Sequence, residues 1–296
     1  MNNLLDIRNL SKHYDGFDLQ DINLTVPAGS VVGFIGSNGA GKTTTIKAAL
    51  GLIGTDAGEI EMFGQHIAGR AGSKQTTAMK QRIGVVFDTC SFPEEMSVAS
   101  VGSLMGYCYS SWDSARFDDL LAAFGLPRNK TVKELSRGMG MKLSLACALA
   151  HNSELLILDE ATAGLDPIAR DETLDVLREF MRNDKHGILM SSHITSDLEK
   201  IADYIVCIDK GRIVFAVEKD EITDIAGVAH CRQAEFDALA ESGFFEPGEM
   251  RYLKHTYGTA VLVPDRFAFA ENFKTIALDK ADIDTYMGLM LKGDAR

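Results

Sequence analysis

An apolar run, Val31-Val32-Gly33-Phe34-Ile35, leads straight into Gly36-Ser37-Asn38-Gly39-Ala40-Gly41-Lys42-Thr43, and Thr44 to Leu50 then reads as the start of a helix. A buried strand, a glycine loop and a helix in that order leave few folds open. The loop fits G-x-x-x-x-G-K-[ST] at every fixed position. Its glycines let successive backbone N–H groups turn inward and form a nest for a polyphosphate. The helix N-terminus adds partial positive charge. Lys42 is placed to reach the β- and γ-phosphates and the Thr43 hydroxyl to meet Mg²⁺. Ser37, Asn38, Ala40 and Thr44 complete the expected cradle. A glycine-rich turn can match such a pattern by chance, but the strand before it and the helix after it argue against that.

The chain has 296 residues, enough for one large domain or two ordinary ones, and 46% of them are hydrophobic, as in a globular protein. Its net charge of −12 argues against a general nucleic-acid binder, which needs a basic footprint. Five widely spaced cysteines, with no C-x-x-C pair, read as reduced thiols of a cytoplasmic protein. The first residues show no basic-then-apolar leader, and no run approaches the roughly 20 apolar residues that span a bilayer. If the protein works at a membrane, another chain does the spanning.

Residues 4–9 and 17–26 read as strands joined by a turn at Asp15-Gly16, and 58–64, 82–87, 155–158 and 187–190 as further strands. Residues 68–78, small and polar, read as an exposed connection. Between 91 and 151 the pattern turns helical, with helices expected over 98–109 and 115–124. Residues 204–208 and 212–215 suggest a hairpin around Lys210-Gly211. Strands alternating with helices imply an α/β sheet protein with an inserted helical lobe. After Val217 the character changes to a small appended α/β piece, with helices over 234–241 and 283–291 and a strand over 258–263. No chemical motif is visible in it.

Two further segments carry chemistry. Leu155-Leu156-Ile157-Leu158-Asp159-Glu160 is a buried strand ending in two carboxylates, at the edge where open α/β sheets bind ligands. Asp159 suits a Mg²⁺ shell and Glu160 the polarisation of an attacking water as general base. Leu135-Ser136-Arg137-Gly138-Met139 opens a helix on which Met139, Leu143, Cys147 and Ala150 share one face. Ser136 is a plausible N-cap, and Gly138 permits close approach of an anion, so this is a second helix start open to phosphate.

These residues together resemble the nucleotide-binding subunits of ABC transporters. Leu135 to Met139 stands where that family has its LSGGQ signature, upstream of the acidic strand. Ala163-Gly164-Leu165-Asp166 is similar to its D-loop, Ser191-Ser192-His193 to its switch histidine, and Tyr14 to the aromatic that stacks on adenine, with Phe17 as a rival. The resemblance covers roughly residues 3–217. It implies a P-loop NTPase core of the ABC ATPase type over 1–217, within which the helical pattern over about 91–151 forms the inserted lobe; the extension over 218–296, from its position after the last strand of that core, is expected to serve dimerisation or regulation. It further implies ATP and Mg²⁺ as ligands, a γ-phosphate contact at His193, and two copies facing head to tail. Each ATP would then lie between residues 36–43 of one copy and residues 136–138 of the other.

Three departures stand out. Arg137 and Met139 replace Gly and Gln in the signature, and Ala161 stands where Pro is usual. Asp88 replaces the loop glutamine after the strand 83–87; its carboxylate can take a metal or water position, but the change puts coupling to the membrane partner in question. The variants are similar to the bacterial ABC-2-type exporter branch. The expected function is therefore an ATPase subunit, at the cytoplasmic face of the membrane, that powers export of a drug, peptide or lipid-like substrate through a separate permease. A soluble ABC ATPase of DNA repair or the ribosome would carry a coiled-coil insertion or two cassettes, and neither is seen. A nucleotide-binding regulator without turnover is favoured by Asp88 and Arg137 and opposed by Glu160 and His193.

Overall fold

The computed structural model describes residues 2–67 and 74–296. The chain divides into two compact units, one of residues 1–202 with 208–213 and one of 203–207 with 214–296. Among the described residues no helix is long and apolar enough to cross a membrane.

The first unit opens with β1 (Asn3–Tyr14), β2 (Phe17–Pro27), β3 (Val31–Ile35), α1 (Lys42–Ala49), β4 (Ala57–Met62) and β5 (Gln65–His66). It continues with α2 (Lys74–Lys80), β6 (Ile83–Val86), α3 (Val98–Cys108), α4 (Ser114–Ala123), a 3₁₀ turn at Val132–Glu134 and α5 (Arg137–Leu149). Then come β7 (Leu155–Asp159), α6 (Pro167–Phe180), β8 (Gly187–Ser191) and α7 (Thr195–Ile201).

Two sheets organise it. An antiparallel sheet has the order β2-β1-β4-β5, and parallel strands run in the order β3-β8-β7-β6. The parallel register pairs Val31 with Ile188, Leu155 with Gly187, and Ile83 with Leu155. Every residue of β3, β7 and β8 is buried, as continuous apolar runs in a parallel sheet require. Their crossovers bring the C-terminal ends of β3, β7 and β8 to one edge.

Local chemistry sets the helix starts. Ser97, Asp113, Ser136 and Asp166 each accept a bond from a first-turn N–H of α3, α4, α5 and α6, and Pro167 opens α6. Helix α1 differs: it begins at Gly41 (φ 120°) with no side-chain cap, and starts two residues earlier than its apolar pattern suggests. Its first N–H groups are thus left for another acceptor.

One expectation needs correction. The segment 68–78 holds α2 over Lys74–Lys80 rather than a plain connection, anchored by the buried Met79; residues 68–73 lie outside the described residues. Helix α5 buries Leu143, Cys147 and Ala150 of its expected apolar face, and the burial extends round the helix. It is buried continuously from Gly140 to Ala148 apart from Lys142, because it packs against β6 and against α3 and α4, while Met139 stays half-exposed.

His151, just beyond α5, is buried and stacked on the Tyr109 ring at 3.9 Å between centroids, with no hydrogen bond to its Nδ1. Desolvation pushes its pKa down to about 4. An unfolded histidine titrates near 6.5, so between about 6.5 and 4 the unfolded chain takes up the proton first. The stability this neutral ring confers is therefore complete above about pH 6.5 and drains away as pH falls toward 4, by about 3 kcal/mol in all. From pH 7 to pH 5, urea unfolding should show the wild type losing about 2 kcal/mol more than His151→Phe. Parallel losses would remove His151 as the cause.

The chain passes from one unit to the other through β9 (Tyr204–Asp209) and β10 (Arg212–Glu218), with Lys210 and Gly211 both at positive φ in the turn between. The second unit adds β11 (Gly227–Cys231), α8 (Gln233–Glu241), β12 (Arg251–His255), β13 (Gly258–Val263), α9 (Arg266–Asn272), β14 (Ala277–Lys280), α10 (Ile283–Lys292) and β15 (Asp294–Ala295). Its antiparallel sheet has the order β14-β11-β13-β12-β15. Alternation sorts its core into two faces: Ala229, Cys231, Val261 and Val263 pack with Phe236 and Phe269, and Val228, Ala260 and Leu262 pack with Leu289. Sequence patterning missed β11, β12, β14 and α9, which are short or carry charged residues at outward positions.

Candidate functional site

At the common edge of β3 and β7, a cleft of about 630 Å³ is lined by Ser37, Asn38, Gly39, Gly41, Lys42, Thr43, Thr44, Asp88, Asp159 and Glu160, with Phe17 and Lys47 at its borders. The loop 36–41 can take its shape only with glycine where the backbone crowds. A Cβ on Gly36 would stand 2.2 Å from the Ile208 carbonyl oxygen, and one on Gly41 2.6 Å from Leu19 Cδ2. Ala40 is buried under the loop, where its carbonyl accepts the Gly211 N–H at 2.8 Å.

Lys42 is buried along its stem, and its Nζ donates to the Gly36 carbonyl at 2.7 Å and to that of Ser37 at 3.3 Å. The ammonium thus braces the loop from within, 3.7 Å from Glu160 Oε1. Thr43 donates its hydroxyl to Asp159 Oδ2 at 2.7 Å, and Ser191 donates to Asp159 Oδ1 at 2.5 Å. Asp159 is buried and both its oxygens are held, which fixes the carboxylate at the strand end.

Glu160 leaves the strand at φ 56°, a left-handed conformation that costs a side chain on the order of 1 kcal/mol. Its N–H donates to the Ser191 carbonyl at 3.1 Å, which holds the bend. The bend brings the carboxylate beside the loop instead of into the sheet. There it meets His193 Nδ1 at 2.5 Å and the His193 N–H at 3.3 Å. Asp88 lies exposed at the rim of the same cleft.

The other expected residues sit apart. Tyr14 lines an adjoining hollow of about 440 Å³, which shares Phe17 and Ser37, Asn38 and Gly39 with the main cleft. Ser136 caps α5 by accepting the Met139 N–H at 3.2 Å, and neither it nor Gly138 lines the cleft. Arg137 lies exposed against the loop after β7, where a Cβ on Gly164 would come within 3.4 Å of its side chain. Two contributors escaped sequence reading. Ser191 orients Asp159, and its only sequence signal is its place two residues before His193. Lys47 follows Thr43 by four residues, the spacing that puts two side chains on one helix face.

The cleft holds three carboxylates against two lysines, so a bound polyphosphate would bring an excess of negative charge. The groups there that could hold a metal, the Thr43 hydroxyl with the carboxylates of Asp159 and Asp88, are all oxygen donors, as a hard divalent cation such as Mg²⁺ prefers.

The ABC transporter family matches residues 19–163. The bacitracin transport ATP-binding protein BcrA of Bacillus licheniformis is 32% identical over 225 residues, 75% of this chain and 72% of the relative. The chain belongs to the ABC transporter family. The daunorubicin/doxorubicin resistance ATP-binding protein DrrA of Streptomyces peucetius is likewise 32% identical, over 247 residues, covering 80% of this chain and 72% of its own length. A solved ATP-binding subunit of an ABC transporter superposes with a TM-score of 0.66 at 30% identity, covering 74% of this chain and 91% of the neighbour. This ABC chain is thus an ATP-binding, ATP-hydrolysing subunit built on a P-loop NTPase core.

Proposed function

We propose that the cleft binds MgATP and that its hydrolysis powers an export system through a separate membrane-spanning partner, with this subunit held at the cytoplasmic face. The observation that carries the reading is the pair of locked carboxylates beside the phosphate loop: Asp159 held by Thr43 and Ser191, Glu160 held by His193. The names of the bacitracin and daunorubicin relatives support export and a drug- or peptide-like cargo.

The free N–H groups of the loop and of the uncapped α1 receive the phosphate oxygens. Lys42 moves from the loop carbonyls to the β- and γ-phosphates. Tyr14 or Phe17 offers a ring to the adenine. Thr43, Asp159 and Asp88 would hold Mg²⁺, which when bound offsets phosphate charge and polarises the γ-phosphoryl group. Glu160 orients a water and takes its proton as the water oxygen bonds to the γ-phosphorus and the bond to the β–γ bridging oxygen breaks. His193 keeps the Glu160 carboxylate turned toward that water and contacts the γ-phosphate.

Ser136 and Gly138 lie outside the cleft of their own copy, and a second copy placed head to tail would bring them to the γ-phosphate. ATP then favours the closed pair because only that state makes both sets of contacts. Asp88, a carboxylate where the family has glutamine, adjusts how the site answers its membrane partner. Residues 218–296 serve assembly or regulation.

Steady-state phosphate release tests the reading. The purified chain should turn over ATP, fall to background in EDTA, recover with added Mg²⁺, and respond to reconstitution with its membrane partner. ATP binding with no turnover under any of these conditions would replace an engine with a nucleotide-sensing regulator.

A further inference from the structure

Two buried polar atoms near the site have no hydrogen bond, and they face each other. Arg170 Nε, on α6, stands 3.7 Å from Asp197 Oδ2, on α7, and both atoms are cut off from solvent. Asp197 is 1% exposed. The pair is in ionic contact yet lies beyond the 2.7–3.2 Å of a formed hydrogen bond. An approach of under about 1 Å would satisfy both atoms at once. The Arg170 side chain stays partly exposed, but Asp197 is buried with one oxygen unpaired, which is unfavourable, so the open arrangement is poised to close.

The two residues join segments that matter to turnover. Arg170 also extends Nη2 to the Leu165 carbonyl at 3.5 Å, in the loop that follows the acidic strand. Asp197 lies four residues after His193, on the helix that directly follows the switch segment, and His193 is the group that holds Glu160. One guanidinium therefore spans from the loop after β7 to the helix behind the histidine. α6 and α7 pack directly on each other, which makes the link a short one.

We propose that Arg170 and Asp197 are a positioning pair that sets the Glu160–His193 couple. Closure of the pair clamps α7 and the loop at Leu165 together behind the Glu160–His193 contact, which is already formed with the pair open, and so holds Glu160 steady toward the water. Neither side chain lines the cleft. The proposal rests on the reading of Glu160 and His193 as turnover groups.

The test is a double-mutant cycle on ATP hydrolysis. Arg170→Met with Asp197→Leu removes both charges together and avoids stranding one of them. This double exchange should melt cooperatively, leave KM for ATP within about two-fold, and lower kcat about 10- to 100-fold, as a misplaced reacting group does. Added to His193→Ala it should cost less than about two-fold more, because both act through one element. Unchanged kcat, a raised KM with normal kcat, or losses that multiply in the His193→Ala background would overturn the positioning role. Should the double exchange fail to fold, Arg170→Lys, which keeps the charge but loses the guanidinium fork, carries the same readouts. Undiminished turnover in His193→Ala alone would defeat the underlying reading of the site. A slow His193→Ala with multiplicative losses defeats only the positioning pair.

Discussion

Glu160→Gln should retain ATP binding, lose turnover by about 10²- to 10⁴-fold, and accumulate an ATP-dependent dimer. The amide keeps the size of the side chain and can still pair with His193, so the bend at φ 56° and the strand end are preserved. What disappears is the group proposed to accept the water proton. The substitution also removes one of three carboxylates from a cleft that must receive a triphosphate, so affinity should hold or rise. Phosphate release, nucleotide binding by fluorescence, and size-exclusion chromatography with and without ATP read the three effects separately. Full turnover in the variant would remove Glu160 from the base role; slow turnover with no dimer would leave the base in place and overturn the head-to-tail closure.

Lys42→Met should have the opposite profile, a loss of binding itself. Lys42 is the buried cation of the loop, and its two present bonds are to the carbonyls of Gly36 and Ser37. On ligand binding these would be exchanged for bonds to phosphate, each charge-assisted and worth about 1.5–3 kcal/mol. Losing two should weaken ATP by about 10²- to 10³-fold, after allowance for the loop bonds lost at the same time. Isothermal titration with ATP in the presence of Mg²⁺ measures it. Wild-type affinity in the variant would show that the ammonium serves only to brace the loop.

The two predictions differ in how far the sequence supports them. The place of Lys42 follows from contiguous residues: a buried strand, glycines that permit the turn, and a helix that begins without a cap. Glu160 was legible as an acid at a strand end, but its direction was not. That depends on a left-handed backbone position held by Ser191, from a strand 31 residues further on. Ser191 and Lys47 went unread as site residues for a related reason, since neither belongs to a contiguous chemical pattern of its own. The C-terminal unit was legible as α/β but not in its strand order: β12 pairs locally with β13 in a hairpin, but β14 is a short, largely exposed strand whose partner β11 lies far back in the chain.

By itself the sequence determined the local pieces: the phosphate loop, the apolar strand that ends in Asp159 and Glu160, the capped start of α5 and the helical lobe. Each follows from short-range physics, from glycine dihedrals, caps and apolar periodicity. Only the tertiary structure decided which pieces meet. Thr43 bonds Asp159 across 116 residues, His193 holds Glu160 across 33, and Arg170 faces Asp197 with a gap still open. Parallel strands joined by helical crossovers carry distant segments to one sheet edge, and no local pattern encodes the distance left between them.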